Sequence, residues 1–256
     1  MKKSRSGSRH FRRAFTLVEM LVVISIIAIL AALLLPAIGV AKTRAQVTRA
    51  RLEIEQLKQA ITSYHSQYSR YPVSAGVMTA ATTAGDDFTY GGVFQNNVKV
   101  TTSNTSGVVQ TNDEVVAILM DLQTYPSNSL PTVNANHVKN PQQNKFLNAK
   151  MVDNANLGGV GPDLKYRDPW GNPYVISMDL NYDDKCYDSF YRLLKVSQQS
   201  GGSGYNGLSN PNYATTPDNF ACNDGVMVWS AGPDGSIDPT LPSNVGVNKD
   251  NILSWK

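Results

Sequence analysis

The stretch FTLVEMLVVISIIAILAALLLPAI, residues 15–38, decides how this chain is read. From Met20 to Ile38 it is apolar, interrupted only by Ser25, Pro36 and their small neighbours. As a helix its 24 residues span about 36 Å, enough for a bilayer core of roughly 30 Å. Just before it, residues 1–14 carry Lys2, Lys3, Arg5, Arg9, Arg12 and Arg13 and no acid. Such a basic flank keeps the N-terminus cytoplasmic and exports everything after residue 40. A cleavable secretory signal is the competing reading, but its apolar region is only about 7–15 residues and ends at a small-residue cut site. Here the run is longer and continues into more helix. The spanning reading wins.

One residue is wrong for a plain anchor. Glu19 enters the apolar segment with no Lys or Arg within helical reach after it. A carboxylate in the bilayer interior costs at least about 2.5 kcal/mol, so an intramembrane acid is a functional candidate. The plainer alternative is that Glu19 lies near the interface and reaches toward headgroups.

The 256-residue chain has a net charge of +3, and the six cations of residues 1–14 therefore leave −3 for the rest. A mildly acidic body argues against nucleic acid as a partner, because such binders present a basic face on the folded part. The two cysteines, Cys186 and Cys222, exclude a disulfide-dense scaffold and a four-cysteine zinc site. In an exported domain a disulfide between them is the expected use, with two buried thiols as the alternative. The chain has no Gly-x-Ser-x-Gly, His-Glu-x-x-His or Gly-x-x-x-x-Gly-Lys, and no catalytic activity is expected. Asp179-x-Asn181-x-Asp183 has calcium-loop oxygen spacing, but Asp184 and Phe190 stand where an EF-hand needs Gly and Glu.

Beyond the apolar run, Ala50, Ile54, Leu57, Ile61, Tyr64, Tyr68 and Tyr71 recur at alternating spacings of 4 and 3. That is one stripe of an amphipathic helix, with Arg49, Arg51, Glu53, Glu55 and Lys58 mostly on other faces. Tyr71-Pro72 ends it, since the residue before proline is pushed out of helical geometry. The stripe predicts a sheet packed on that face; a coiled-coil dimer is the weaker alternative, having few seam positions.

Residues 73–165 read as an insertion of surface loops and short strands, with one short helix at about 112–124. Thr111-Asn112-Asp113-Glu114 has the form of a capping box, and Tyr125-Pro126 closes the helix. Residues 166–256 read as a C-terminal antiparallel sheet region. Its strands are Tyr174–Met178, Phe190–Val196 and Val226–Ser230, and Ser200–Tyr213 is a loop.

Arg12-Arg13-Ala14-Phe15-Thr16-Leu17-Val18-Glu19-Met20-Leu21 resembles the processing site of type IV pilins and type II secretion pseudopilins. The resemblance implies an α+β fold in which a long N-terminal helix, membrane-spanning in its first half, packs on a small C-terminal antiparallel sheet. It implies that prepilin peptidase cuts between Ala14 and Phe15 and methylates the Phe15 amine. Ala14 departs from the family's usual Gly and is the next smallest residue. Glu19 is implied to pair with a neighbouring subunit's N-terminus, and Pro36 falls where the family commonly carries a helix-kinking proline. Asp168-Pro169-Trp170-Gly171-Asn172-Pro173-Tyr174 resembles, more narrowly, the major pseudopilin of type II secretion. Ser230–Gly235 and Asp250–Trp255 resemble its calcium-loop region, implying calcium at Asp234, Asp238 and Asp250. Pro233 and an extra residue before Ile252 depart from that pattern.

The organisation expected is thus a basic leader (1–14), a transmembrane and filament-core helix (15–38), an amphipathic continuation (39–72), the insertion (73–165) and the sheet region with its terminal acidic loop (166–256). The function expected is a structural subunit of a periplasmic pseudopilus for type II secretion. Before assembly it sits in lipid as a single-pass inner-membrane protein. Its partners are then further copies of itself, prepilin peptidase, and the inner-membrane assembly platform with its ATPase. A surface pilin for adhesion, motility or DNA uptake is the alternative, and a disulfide-closed loop at Cys186–Cys222 suits it. A membrane-anchored binding module that never polymerises is the third reading; Glu19 argues against it.

Overall fold

The computed structural model describes residues 15–102, 109–154, 156–202 and 204–256. The leader and Ala14 lie outside them. The chain divides into two compact units, Met1–Arg44 and Ala45–Lys256.

Helix α1 (Leu17–Tyr68) starts in the first unit and runs through Pro36 without a break. There its apolar side chains are exposed around the whole circumference, among them Leu17, Leu21, Ile24, Ile27, Leu34 and Ile38. A helix apolar on every side is suited to lipid or to the company of similar helices, not to water. Among the described residues it is the one helix long and apolar enough to cross a membrane.

The second unit contains the rest of α1, then α2 (Ala75–Ala84), β1 (Phe88–Tyr90), β2 (Gly92–Val93), β3 (Lys99–Val100) and α3 (Asp113–Leu119). Next come β4 (Gly159–Val160), β5 (Tyr166–Arg167), β6 (Val175–Met178), α4 (Leu194–Ser197), β7 (Val226–Ser230) and β8 (Ile252–Leu253). The main sheet has the order β1-β6-β7-β8, antiparallel throughout. Val175 faces Trp229 across β6–β7, and Trp229 faces Leu253 across β7–β8. The fold is α+β, as the helix stripe predicts. Ala50, Ile54, Leu57, Ile61 and Tyr64 of α1 are buried, in one core with Ile176, Met178, Val226 and Val228.

The helix ends at Tyr68, short of the Tyr71-Pro72 stop. Ser69 takes a left-handed φ of 51° and its N–H donates to His65 O at 2.7 Å, which closes the last turn before the proline is reached.

The sheet is covered on both faces. Side chains alternate along a strand, so Val175, Met227 and Trp229 point away from α1 into a second core with Phe190, Tyr191 and Phe220. Phe190–Val196, expected as a strand, is instead a turn leading into α4. Asp188 Oδ1 accepts the N–H groups of Phe190 and Tyr191 at 2.9 and 2.8 Å, and both rings pack on Trp229. A buried carboxylate collecting backbone amides is a turn device, invisible to a count of apolar residues.

Residues 73–165 are no peripheral insertion. β1 forms an edge of the main sheet, and Val115 to Leu119 of α3 are wholly buried. The helix is also shorter than 112–124, and the expected capping box does not form. Thr111 Oγ1 donates to Asp113 Oδ1, while Glu114 accepts from Tyr90 Oη. Asn112 holds the N-cap position instead, fully buried, its amide donating to Tyr166 O and Tyr174 O and accepting from Tyr166 N. At the other end Asp121, at φ 56°, lets Leu122 N donate to Ala117 O and ends the helix in a Schellman turn.

Candidate assembly segment and the Asp168 turn

The start of α1 is built by Thr16 and Glu19. Thr16 N and Thr16 Oγ1 both donate to Glu19 Oε2 at 2.8 Å, and Glu19 N donates back to Thr16 Oγ1 at 3.2 Å. This is a reciprocal capping box, and it satisfies helix-start amides that have no partner within the helix. Thr16-Leu17-Val18-Glu19 carries the Thr-x-x-Glu pattern, so the sequence held the signal. Within one chain, therefore, the Glu19 carboxylate has a hydrogen-bonding partner. It is bound to Thr16, the second residue after the expected cut, among exposed Phe15, Leu17, Val18 and Met20.

The Asp168 turn organises the C-terminal half. Asp168 is fully buried. Its Oδ1 accepts from Trp170 N and Asn172 N at 3.0 and 2.9 Å, and its Oδ2 accepts from Ser230 Oγ at 2.6 Å. Gly171 sits at φ 94°, and a Cβ there would meet Asn156 O at 2.6 Å. Burial pushes the Asp168 carboxyl up to about 6, against the pull of those hydrogen bonds. Tyr174, at the end of the turn, sends its hydroxyl to Glu53 Oε2 of α1 at 2.7 Å. Glu53 is thus the exception among the charged residues assigned to the outer faces of the helix: it is buried.

Ser230 carries the same network into the terminal loop, since its Oγ also accepts from Gly232 N at 3.0 Å. Gly232, at φ 69°, lies so close to Asp250 that a Cβ would strike its carbonyl oxygen and its carboxyl carbon. Asp234 N donates to Asp250 Oδ2 at 3.3 Å, bringing two of the three expected calcium ligands together. Asp250 Oδ1 and Asn251 Oδ1 are buried with no hydrogen-bond partner, and burial followed by the neighbouring Asp234 raises the Asp250 carboxyl. A carboxylate oxygen and an amide oxygen, buried and unpaired beside the exposed Asp234 carboxylate, are the oxygen donors a hard cation takes. Asp238 is turned to other work: its Oδ1 accepts from Thr240 N and Oγ1 at 2.8 and 2.7 Å. Among the described residues no group of three or more His, Cys, Asp or Glu is gathered as a metal site.

Cys186 and Cys222 pair directly through their main chains, exchanging N–H to O bonds of 2.9 and 3.0 Å. In this structure both are free thiols, Cys186 buried, and burial raises both thiol pKa values. Residues so paired have Cα atoms about 5.5 Å apart, inside the roughly 4.4–6.8 Å that a disulfide spans.

Comparison with known proteins bears on the same N-terminal segment. Residues 9–35 match the prokaryotic N-terminal methylation motif. A type IV major pilin protein PilE1 of Neisseria gonorrhoeae is 37% identical over 100 residues, covering 38% of this chain and 56% of the relative. A fimbrial protein of Neisseria meningitidis serogroup B is 42% identical over 77 residues, 29% of this chain and 45% of the relative. The fimbrial protein EcpC of Eikenella corrodens is 33% identical over 101 residues, 40% and 62% respectively. The chain thus spans about half the length of the relatives it matches. No solved structure matches it.

Proposed function

We propose that the chain is a type IV pilin-like protein whose mature form is a repeating structural subunit of a surface type IV pilus, beginning at Phe15. The observation that carries this is the first half of α1, apolar around its whole circumference and headed by the Thr16–Glu19 box. Before assembly it anchors the chain in the inner membrane, N-terminus inside and the Ala45–Lys256 unit outside. Prepilin peptidase then cuts after Ala14, and an assembly platform with its ATPase adds the subunit to a helical filament. There Glu19 exchanges Thr16 for the Phe15 amine of a neighbour. Either charge alone in an apolar filament core is costly, and together they neutralise.

A type II secretion pseudopilus is the second reading. Its support is the Asp168–Tyr174 turn with its buried carboxylate, linked through Ser230 to the Asp234–Asp250 pair. In that reading calcium is held by Asp234 and Asp250 with the Asn251 amide oxygen, tying the terminal loop down.

The test is expression of the gene beside prepilin peptidase in its own background. Mass spectrometry should find N-methylated Phe15 as the first residue, and electron microscopy of the sheared surface fraction should find filaments containing the chain. Loss of exported enzymes in a deletion strain, without loss of surface filaments, would transfer the assignment to the pseudopilus. A mature N-terminus at Met1 in cells with active peptidase would overturn both readings.

A further inference from the structure

Asn136 and His137 take left-handed φ values of 56° and 55°, two such non-glycine residues in succession. Conformations of this kind persist only where the surroundings hold them. Gln123, exposed on the segment after α3, holds this turn from outside. Its Oε1 accepts from Asn136 N at 3.1 Å, and its Nε2 lies 3.0 Å from His137 Nε2. On the other side of the ring, His137 Nδ1 lies 2.8 Å from Asp121 Oδ1, which also accepts from Asn134 Nδ2 at 2.9 Å. Asn134 is fully buried, and its amide oxygen accepts from Lys139 N and Asn140 N at 3.2 and 3.0 Å. Lys139 O and Asn140 Oδ1 in turn accept the hydroxyls of Tyr64 and Tyr68 of α1 at 2.6 and 2.8 Å. One polar network thus runs from Gln123 at the surface to the last turns of α1.

These partners fix the proton on the ring. A carboxylate only accepts, so Nδ1 carries the hydrogen. The Gln123 amide oxygen is committed to Asn136 N, so its NH₂ end faces the ring and Nε2 is the bare nitrogen. A second proton can only go on Nε2, where N–H then meets N–H. Turning the amide over moves the same conflict to Asn136 N, so protonation breaks one of the two bonds that Gln123 makes. Histidine is the side chain that ordinarily changes charge between about pH 5 and 8. Among the described residues, the charged group against the ring is Asp121, just past the end of α3. Lys139, two positions on, interacts with Arg70 and Glu114 instead. Asp121 attracts the charged ring and keeps it in place, so the contact that gives way is Gln123. We propose that His137 is a proton-operated latch: acidification drives the Gln123 side chain off His137 and Asn136 and loosens the strained turn. The His137–Asp121 pair and the buried Asn134–Asn140 anchor on α1 stay in place. This is independent of which filament the chain builds.

The experiment is nitrogen-15 NMR of the whole mature chain in detergent micelles, from about pH 8 to about pH 5. Above the His137 transition the ring should be the Nδ1–H tautomer. As the ring charges, exchange of the Asn136 amide, corrected for its intrinsic pH dependence, should quicken by about threefold to tenfold, the effect of one lost hydrogen bond. The Val228 amide of β7, bonded to Ser254 Oγ, reports unfolding of the core and should not follow. Gln123→Glu supplies a carboxylate that accepts from both Asn136 N and the charged ring. It should abolish the quickening and move the His137 transition to higher pH. Gln123→Ala should leave the Asn136 amide fast throughout the range. An Nε2–H tautomer, an Asn136 amide indifferent to the transition, or a Gln123→Glu variant that opens like the parent would each overturn the latch. Equal quickening at Val228 would overturn it too, in favour of unfolding of the whole unit.

Discussion

The hydroxyl of Tyr174 donates to Glu53 Oε2 at 2.7 Å, while Arg49 Nε holds the other carboxylate oxygen at 2.8 Å. One bond therefore joins the end of the Asp168 turn to α1, with Glu53 only 8% exposed. Removing the donor leaves a buried carboxylate short of a partner, and that costs more than the bond itself contributes. Tyr174→Phe should destabilise the protein by about 1–3 kcal/mol despite the small change in shape. The shift of the denaturation midpoint measures it, and a variant as stable as the parent would show that the bond is dispensable.

Stability should rise as the pH falls from 8 to 5. Burial, reinforced by Asp179, Asp86 and Asp183, pushes the Asp87 carboxyl up to about 7, although it accepts from Tyr187 N at 2.8 Å. Asp168 is pushed up to about 6. Both folded values exceed the ordinary carboxylate value of 3.8, so the folded state binds more protons between them. Their contribution is complete below about pH 4 and is lost as the pH climbs through 6 and 7. Across this range the unfolding free energy should fall with rising pH by a few kcal/mol in total, the melting temperature falling with it, and Asp87→Asn should flatten the slope. A profile rising with pH would contradict the assignment.

Glu19 and Thr16 separate by their variants. Glu19→Ala should keep cleavage and membrane insertion but reduce filament yield by about tenfold or more, the cost of an unpaired amine in the filament core. Thr16→Val removes only the cap within the chain, worth about 1 kcal/mol, and should still give filaments. Filament counts by electron microscopy decide it. Wild-type yield from Glu19→Ala would end the pairing idea.

In protein isolated from the outer side of the membrane, Cys186 and Cys222 should be joined. Their main chains already pair, and closing the 37-residue loop between them is worth roughly 3–4 kcal/mol in the loop-entropy treatment. Alkylation without prior reduction should leave both unlabelled. Quantitative labelling would establish the two thiols.

Calcium should raise the melting temperature of the whole chain, by an increment that grows with the ion concentration. Asp234→Ala and Asp250→Ala should each abolish the increase. Asp238→Ala should retain it, because that carboxylate is bound to Thr240. An unchanged melting curve at millimolar calcium would remove the metal, and with it much of the support for the secretion reading.

Local pattern was enough for the features that repeat along the chain or sit within a few residues of each other. The all-round apolar run 15–38, the stripe from Ala50 to Tyr71 and the β-rich character of β6 and β7 were readable because period and composition report burial directly. The Thr16–Glu19 box was readable too, being a three-residue spacing. What the chain's order did not disclose lies in distant pairs. Asn112 bridging Tyr166 and Tyr174, Asp188 turning Phe190 and Tyr191 beneath Trp229, and β1 joining the main sheet 86 to 90 positions before its partner residues in β6 all join segments far apart in sequence. Asn134 and Asn140, polar and therefore assigned to surface loops, and Asn112, at the start of the expected helix, are fully buried because each finds its hydrogen bonds there. Asp234 was separated from Asp238 only by folding, since two acids four residues apart look alike until their neighbours are in place. A residue's polarity belongs to the sequence, but whether it can be buried depends on partners that tertiary structure alone supplies.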